Sequence, residues 1–419
     1  MKLICALFCL LFPLFLHADV QANVQANVQV GADVLFSDGS LSLLKNKRIG
    51  LITNQSAVNR NLKTTFDMLK EHAKEYQLVA LFSPEHGFYG DAYACEKVEH
   101  KEIGGVPLYS LHGAHRRPTD EMLSGIDLLI YDIQDIGSRS YTFLSTLFYC
   151  MEEAAARKIP LIVLDRPNPM GGLVVDGSLI EEEWRSFLGY VNIPYCHGMT
   201  VGELARLFNS EYKVGCDLTV IAMKGWKRGM TFTQTGLPWV PTSPQIPEPD
   251  TPFYYPTTGL LGHCSIVSIG IGYTLPFKLA GAPWIEAETF AAVLNGQNLP
   301  GVHFQPYYFR PFYGKFKNES CQGVRIVVTD PARYLPLTTQ YTIMGVLKNL
   351  YPKHFEEAFK QMCTSRSKRE VFNKLNGSES ILSILCQERY VIWKLREICA
   401  RARDQFLPLR AKYLIPSYS

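Results

Sequence analysis

Between about residues 46 and 225, short apolar runs alternate with amphipathic stretches, and this alternation leaves very few folds open to the chain. Arg48 to Thr53 predicts a buried strand, after which Leu62, Phe66, Leu69 and Ala73 recur at helical spacing. Gln77 to Phe82 and Ile126 to Ile130 predict two more strands. A helix over about 141–157 leads into another strand at 159–164. Thr200 and Glu203 form a capping box for a helix over 201–212, and Asp217 to Met223 closes the series as a strand. Strands that alternate with helices pair in parallel and are covered on both faces. The expected class is therefore α/β, with a Rossmann-like parallel-sheet domain over 46–237.

At 419 residues the chain exceeds one ordinary core, so a second domain is expected. Prolines at 238, 241, 244, 247, 249, 252 and 256 argue against a helix or central strand over 238–256. Because Trp239, Phe253, Tyr254 and Tyr255 would not suit a solvated linker, this stretch reads as an ordered crossing. Residues 257–419 mix expected strands (304–312, 323–329) with expected helices (343–351, 381–403), as in a smaller α+β auxiliary domain.

The chain opens with Lys2 and an apolar run from Leu3 to Leu16, broken only by Pro13. Ala18 and Ala22 follow, so 1–22 reads as a signal peptide removed on export to the periplasm or beyond. The run is too short for a comfortable transmembrane helix, and no stable membrane anchor is expected. Gln21-Ala22-Asn23-Val24 repeats at 25–28, which makes 23–45 a linker and lead-in. A formal charge of +3 argues against nucleic acid as a partner. Of the 11 cysteines, Cys5 and Cys9 lie in the signal; the others show no ligand spacing and imply no pairing.

In open parallel sheets, ligands bind beyond the carboxyl ends of the strands. Asn54 follows the first strand here, and Ser83-Pro84-Glu85-His86-Gly87 follows the second. Asp132 to Asp135, with Arg139 and Tyr141, follows a third, and Asp165-Arg166-Pro167-Asn168-Pro169 a fourth. One polar residue at a strand end is usually a cap or turn former. Four together favour a carboxylate-rich cleft. Carboxyl pairs serve glycoside hydrolysis, in which one acid protonates the leaving oxygen. Glu85, on a rigid Pro-flanked turn, is the expected acid, its pKa raised by partial burial and neighbouring acids. Equally open from spacing alone, Glu85 caps the following turn or pairs with Arg139. His86 and His197 could join Asp132 or Asp165 around a metal, but HExxH and HxH are lacking and no metal is expected. Gly270-Ile271-Gly272 is only a fragment of a dinucleotide fingerprint, so no cofactor is expected.

The stretches GLITNQSAVNRN (50–61), LVALFSPEHGFYGDA (78–92), YDIQDIGSRSYTF (131–143), VLDRPNPMGG (163–172), HGMTVGELARLFN (197–209) and GLPWVPTSPQIP (236–247) resemble those of the NamZ-type exo-β-N-acetylmuramidases, in the same order. The resemblance runs from about Gly50 to Tyr351. It implies a Rossmann-like domain, a smaller α+β domain and a cleft at their interface. It also implies an exo-acting hydrolase of cell-wall recycling that releases N-acetylmuramic acid from the non-reducing end of peptidoglycan fragments. Glu85 falls on the family's catalytic carboxylate, Asp132 is a candidate second group, and Asn54, His86, Arg139, Tyr141 and Asp165 line the cleft. The lactyl carboxylate of the sugar needs a cation, for which Arg139, Arg166 and Lys97 stand as candidates.

The chain departs from the family pattern in its second half. Where relatives carry EGTN and GRGT, it has Gly262-His263-Cys264-Ser265 and Gly270-Ile271-Gly272-Tyr273, so a glutamate and an arginine are missing. PSPN becomes Thr242-Ser243-Pro244-Gln245, and Ser140 replaces an aromatic residue. These departures bear on substrate preference. The alternatives are an exported sugar or muropeptide binder without turnover, and a hexosaminidase that prefers N-acetylglucosamine.

Overall fold

The computed structural model describes residues 27–93, 96 and 101–419. The expected signal segment, Cys95 and Lys97 lie outside the described residues.

The first half consists of α1 (Gly31–Ser37), β1 (Arg48–Thr53), α2 (Thr65–Glu71), β2 (Gln77–Ser83), β3 (Lys101–Ile103), β4 (Val106–Ser110), α3 (Asp120–Leu123), β5 (Leu128–Asp132), α4 (Phe143–Arg157), β6 (Leu161–Leu164), α5 (Val201–Glu211) and β7 (Leu218–Ile221). Its seven strands lie in the order β3-β4-β2-β1-β5-β6-β7, parallel except for the β3–β4 pair. The central strands are apolar throughout because they alternate between two cores. Ile49, Leu51, Leu128 and Ile130 face the layer of α1 and α2; Ile52, Leu129 and Tyr131 face the layer of α4 and α5. The chain leaves β1 toward β2, then returns to its other side at β5. That reversal is the topological switch point, where Thr53 pairs with Asp132.

The second half holds α6 (Thr251–His263), β8 (Leu279–Ala282), α7 (Ala287–Asn295), β9 (Val302–Phe309), β10 (Cys321–Val328), α8 (Pro336–Leu350), α9 (Pro352–Thr364), α10 (Arg366–Asn376), α11 (Ser380–Gln387) and α12 (Ile392–Ala411). β8, β10 and β9 form a small antiparallel sheet. One cluster of buried side chains runs from Leu147 and Tyr195 to Leu337, Tyr341 and Leu395, so the halves share a core.

Several local expectations are corrected. The Pro-rich crossing is not free of helix, because α6 begins at Thr251. Pro252 sits in its first turn, where an N–H is not needed, and Pro256 is carried by the buried Phe253, Tyr254 and Leu261 around it. The lead-in is buried from Val28 onward, Val28 with Trp226 and Tyr418 and Val30 in the layer of α1 and α2. Gly31 N donates to Asp165 O at 2.8 Å, and a Cβ on Gly31 would lie 2.4 Å from Asp165 N, so only glycine fits. The helix expected over 381–403 is two helices, and Leu62, exposed, precedes α2 rather than joining it. The auxiliary half does not end as a unit of its own. Arg410 Nη2 donates to Gly198 O (2.7 Å), Ile415 N to Glu203 Oε1 (2.8 Å) and Tyr418 OH to Asp165 Oδ2 (2.6 Å).

Candidate active site

The turn after β2 closes through Gly87 N to Pro84 O at 3.1 Å, with His86 and Gly87 both left-handed at φ 70° and 79°. That conformation costs a non-glycine residue roughly 1–2 kcal/mol. Here His86 is held by its Nδ1, 2.8 Å from Ala92 O. The turn presents Glu85, only 9% exposed, to Thr142 and His112. Thr142 Oγ1, beside the start of α4, donates to Glu85 Oε2 at 2.6 Å, and His112 Nε2 lies 3.7 Å from Oε1. Burial holds the His112 imidazole below its ordinary pKa, with Glu85 opposing.

From the second half, α6 brings Tyr255 to the same place. Its hydroxyl lies 3.3 Å from Ser140 Oγ and its ring 5.9 Å from that of Tyr141. Burial raises the Tyr255 phenol, and the carboxylates of Glu85 and Asp135 both add to the shift, which puts the two acids within electrostatic reach of one ring. Asp135 was not among the expected site residues. Its Oδ2 accepts from Gly137 N at 2.6 Å, while Oδ1 is buried without a hydrogen-bond partner. Burial pushes its pKa up to about 7. His197 Nε2 stands 3.8 Å from Oδ2, and burial pushes that imidazole down to about 3, so it offers Asp135 no positive charge. The available signal was the second acid of Asp132-Ile133-Gln134-Asp135. β5 ends at Asp132, and the turn beyond it carries Asp135.

Other expected site residues are spent on the scaffold. Asp132, fully buried, is clamped by the Arg166 guanidinium (Nη2 to Oδ2, 2.9 Å; Nε to Oδ1) and by Thr65 Oγ1, while Arg166 Nη1 donates to Val58 O at 2.8 Å. Neither has a free face for a substrate. Arg139 does not pair with Glu85. Its Nη1 donates to Ser178 O and Ile193 O at 2.6 Å, and its Nη2 to Leu375 O at 3.0 Å. Asp165 accepts from Arg166 N, Gly202 N, Thr200 Oγ1 and Tyr418 OH, and buttresses α5. Tyr141 OH donates to Thr242 Oγ1 at 2.8 Å, so it forms the wall that carries the Thr242 loop. Asn54 closes a turn onto Ser56 N (3.0 Å) and leaves its Nδ2 buried without a partner at the carboxyl end of β1. Of the expected set, Glu85, His86 and Tyr141 are linked here through Thr142, Phe143 and Tyr255, Asn54 stands at the carboxyl end of the adjacent β1, and His112 and Asp135 join the group.

Two carboxyl groups of unlike surroundings, beside aromatic side chains at the carboxyl edge of an α/β sheet, are the kind of arrangement that glycoside hydrolysis uses. Comparison with known proteins gives the family. Residues 49–250 match the family described as Exo-beta-N-acetylmuramidase NamZ, N-terminal, and residues 253–415 its C-terminal counterpart. The chain belongs to the NamZ family. It is 46% identical over 387 residues to the peptidoglycan beta-N-acetylmuramidase NamZ of Bacillus subtilis (strain 168), covering 92% of this chain and 90% of that protein. Among solved structures, a DUF1343 family protein of Bacteroides fragilis NCTC 9343 superposes with a TM-score of 0.86 at 41% identity, covering 93% of this chain and 99% of that one. A second protein of the same family and strain gives 0.66 at 28% identity with the same coverage.

Proposed function

We propose that this protein is an exo-acting glycoside hydrolase that releases N-acetylmuramic acid from the non-reducing ends of peptidoglycan fragments, and that it works after export. The observation that carries the reading is the placement of Glu85. It is nearly buried at the carboxyl edge of the sheet, accepts a hydrogen bond from Thr142 and lies beside His112, whose imidazole burial holds below its ordinary pKa. A carboxyl group so placed can hold a proton and deliver it to a glycosidic oxygen. Asp135, with one oxygen unpartnered, is the second ionisable group in place of Asp132. Arg139 and Arg166 are committed to the scaffold, so the lactyl carboxylate is met by other groups.

The test is product analysis on β-linked N-acetylmuramyl-N-acetylglucosamine, alongside chromogenic N-acetylmuramide and N-acetylglucosaminide. The parent protein releases free N-acetylmuramic acid and Glu85→Gln does not. Tight binding without turnover by the parent protein would replace the hydrolase with a binder. Faster cleavage of the glucosaminide would make it a hexosaminidase of the other preference.

A further inference from the structure

We infer that the β9–β10 hairpin carries an aromatic platform for the sugar on the leaving-group side of the scissile bond; this rests on the glycosidase reading above. Phe312 and Tyr313 are 63% and 52% exposed, yet they are pinned in place. Phe312 N donates to Gly272 O at 2.7 Å, and its ring stacks on Tyr273 with centroids 5.8 Å apart and 25° between planes. A Cβ on Gly272 would lie 1.9 Å from Tyr313 O, so the two loops interlock only with glycine there. Gln245 Nε2 donates to the Tyr313 hydroxyl at 3.1 Å. Gln245 and the Gly270–Tyr273 loop, both departures from the family pattern, thus meet at one spot.

That spot is linked through one loop to the turn that carries Glu85. Gln245 belongs to the loop whose Pro241 and Thr242 carbonyls accept from Gln55 Nε2 at 2.9 and 3.3 Å, and whose Thr242 Oγ1 accepts from Tyr141. Gln55 follows Asn54 at the carboxyl end of β1, and Gly90, on the loop after Glu85, abuts the Gln55 side chain. An exo-acting site holds one sugar at its closed end, so the remaining saccharide must leave across this rim. Rigid, exposed rings there offer the apolar C–H face of a pyranose a negative π surface to pack on.

The test compares the double variant Phe312→Ser/Tyr313→Ser with the parent protein on the muramyl disaccharide and on methyl N-acetylmuramide, whose leaving group cannot span to the rim. The expected result is KM up roughly tenfold on the disaccharide, a loss of about one stacking contact, and unchanged on the methyl glycoside. Unchanged KM on both, or an equal rise on both, overturns the platform alone. No turnover of either substrate by the parent protein overturns the glycosidase reading and the platform with it.

Independently, the geometry points to a disulfide between Cys363 and Cys386. Their Sγ atoms lie 3.1 Å apart, nearer than non-bonded sulfurs rest, at the end of α9 and in α11. Cys386 is exposed and open to an oxidant. The bond forms as the two thiols give up two protons and two electrons to a disulfide of the thiol–disulfide exchange class, which leaves as the dithiol. The loop it closes contains α10 and the 375–377 turn. There Leu375 O accepts from Arg139, Asn376 O from Ser178 Oγ, and Gly377 O from Glu181 N at 2.8 Å. The staple therefore pins the seam between the two halves.

Full-length protein equilibrated with oxidised glutathione, alkylated and mapped by mass spectrometry should yield a 363–386 cross-linked peptide two hydrogens lighter than the reduced pair. Its Tm should exceed that of the reduced form by roughly 3–6 °C, an increment absent from Cys363→Ser. Recovery of both cysteines alkylated after oxidation overturns the pairing.

Discussion

At the carboxyl edge of β2 and at that of β6, a buried apolar strand runs into an acid, and the two acids fare differently. Asp165, after β6, is fully buried and takes hydrogen bonds from Arg166 N (3.0 Å), Gly202 N (2.8 Å), Thr200 Oγ1 (2.8 Å) and Tyr418 OH (2.6 Å). Its lone pairs are used up in joining β6 to α5 and to the end of the chain. Glu85, after β2, accepts from a threonine hydroxyl and lies 3.7 Å from the His112 imidazole, with Tyr255 of the second half within electrostatic reach. The β5 edge shows both outcomes three residues apart, with Asp132 sealed by Arg166 and Asp135 keeping an unpartnered oxygen. What separates Asp132 and Asp165 from Asp135 along this sheet is the number and charge of the donors aimed at each acid.

The contrast breaks most sharply at Glu85. Glu85→Gln should lower sugar release roughly 10³-fold while the urea midpoint stays within error, because the amide keeps the Thr142 contact and loses only the transferable proton. Asp132→Asn should do the reverse. It leaves the Arg166 charge buried and unpaired, which costs about 3–5 kcal/mol in urea unfolding, with kcat near that of the parent at temperatures where the variant is folded. A large kcat loss there with unchanged stability would return Asp132 to the chemistry.

Asp135→Asn sharpens the comparison through pH. The folded state holds the Asp135 proton up to about pH 7, against an ordinary value of 3.8. Between pH 4 and 7 the unfolded chain therefore releases this proton before the folded one does, and the group's contribution to stability falls as pH rises. Asparagine does not titrate, so the stability of the variant relative to the parent should climb across that window and level off above pH 7, with activity lost. A pH-independent difference would mean that Asp135 ionises normally. Smallest of all, Tyr418→Phe removes one of the donors to Asp165 and should cost about 1 kcal/mol with no change in KM.

Much of the first layer was legible along the chain. β1 spans the residues its apolar run indicates, and the Thr200–Glu203 capping box starts α5 where expected, since both are set by neighbours within a few positions. The short strands β3, at the sheet edge, and β4 beside it were missed because runs of three and five residues are too short to establish a period. The turn bearing Glu85 stood out by its Pro-Glu-His-Gly string. His112 did not, because nothing local distinguishes it from the other nine histidines.

Taken by itself, the order of residues determined the alternation of strands and helices, the parallel sheet, and the row of polar groups along its carboxyl edge. These follow from periodicity and turn chemistry, which act between near neighbours. Only the tertiary structure decided which of those groups face a cleft. Tyr418 reaches Asp165 across 253 positions and Leu375 meets Arg139 across 236, and whether an acid or guanidinium is spent or available depends on such distant partners. No local pattern encodes them, because desolvation and hydrogen bonding act through space once the chain has closed on itself.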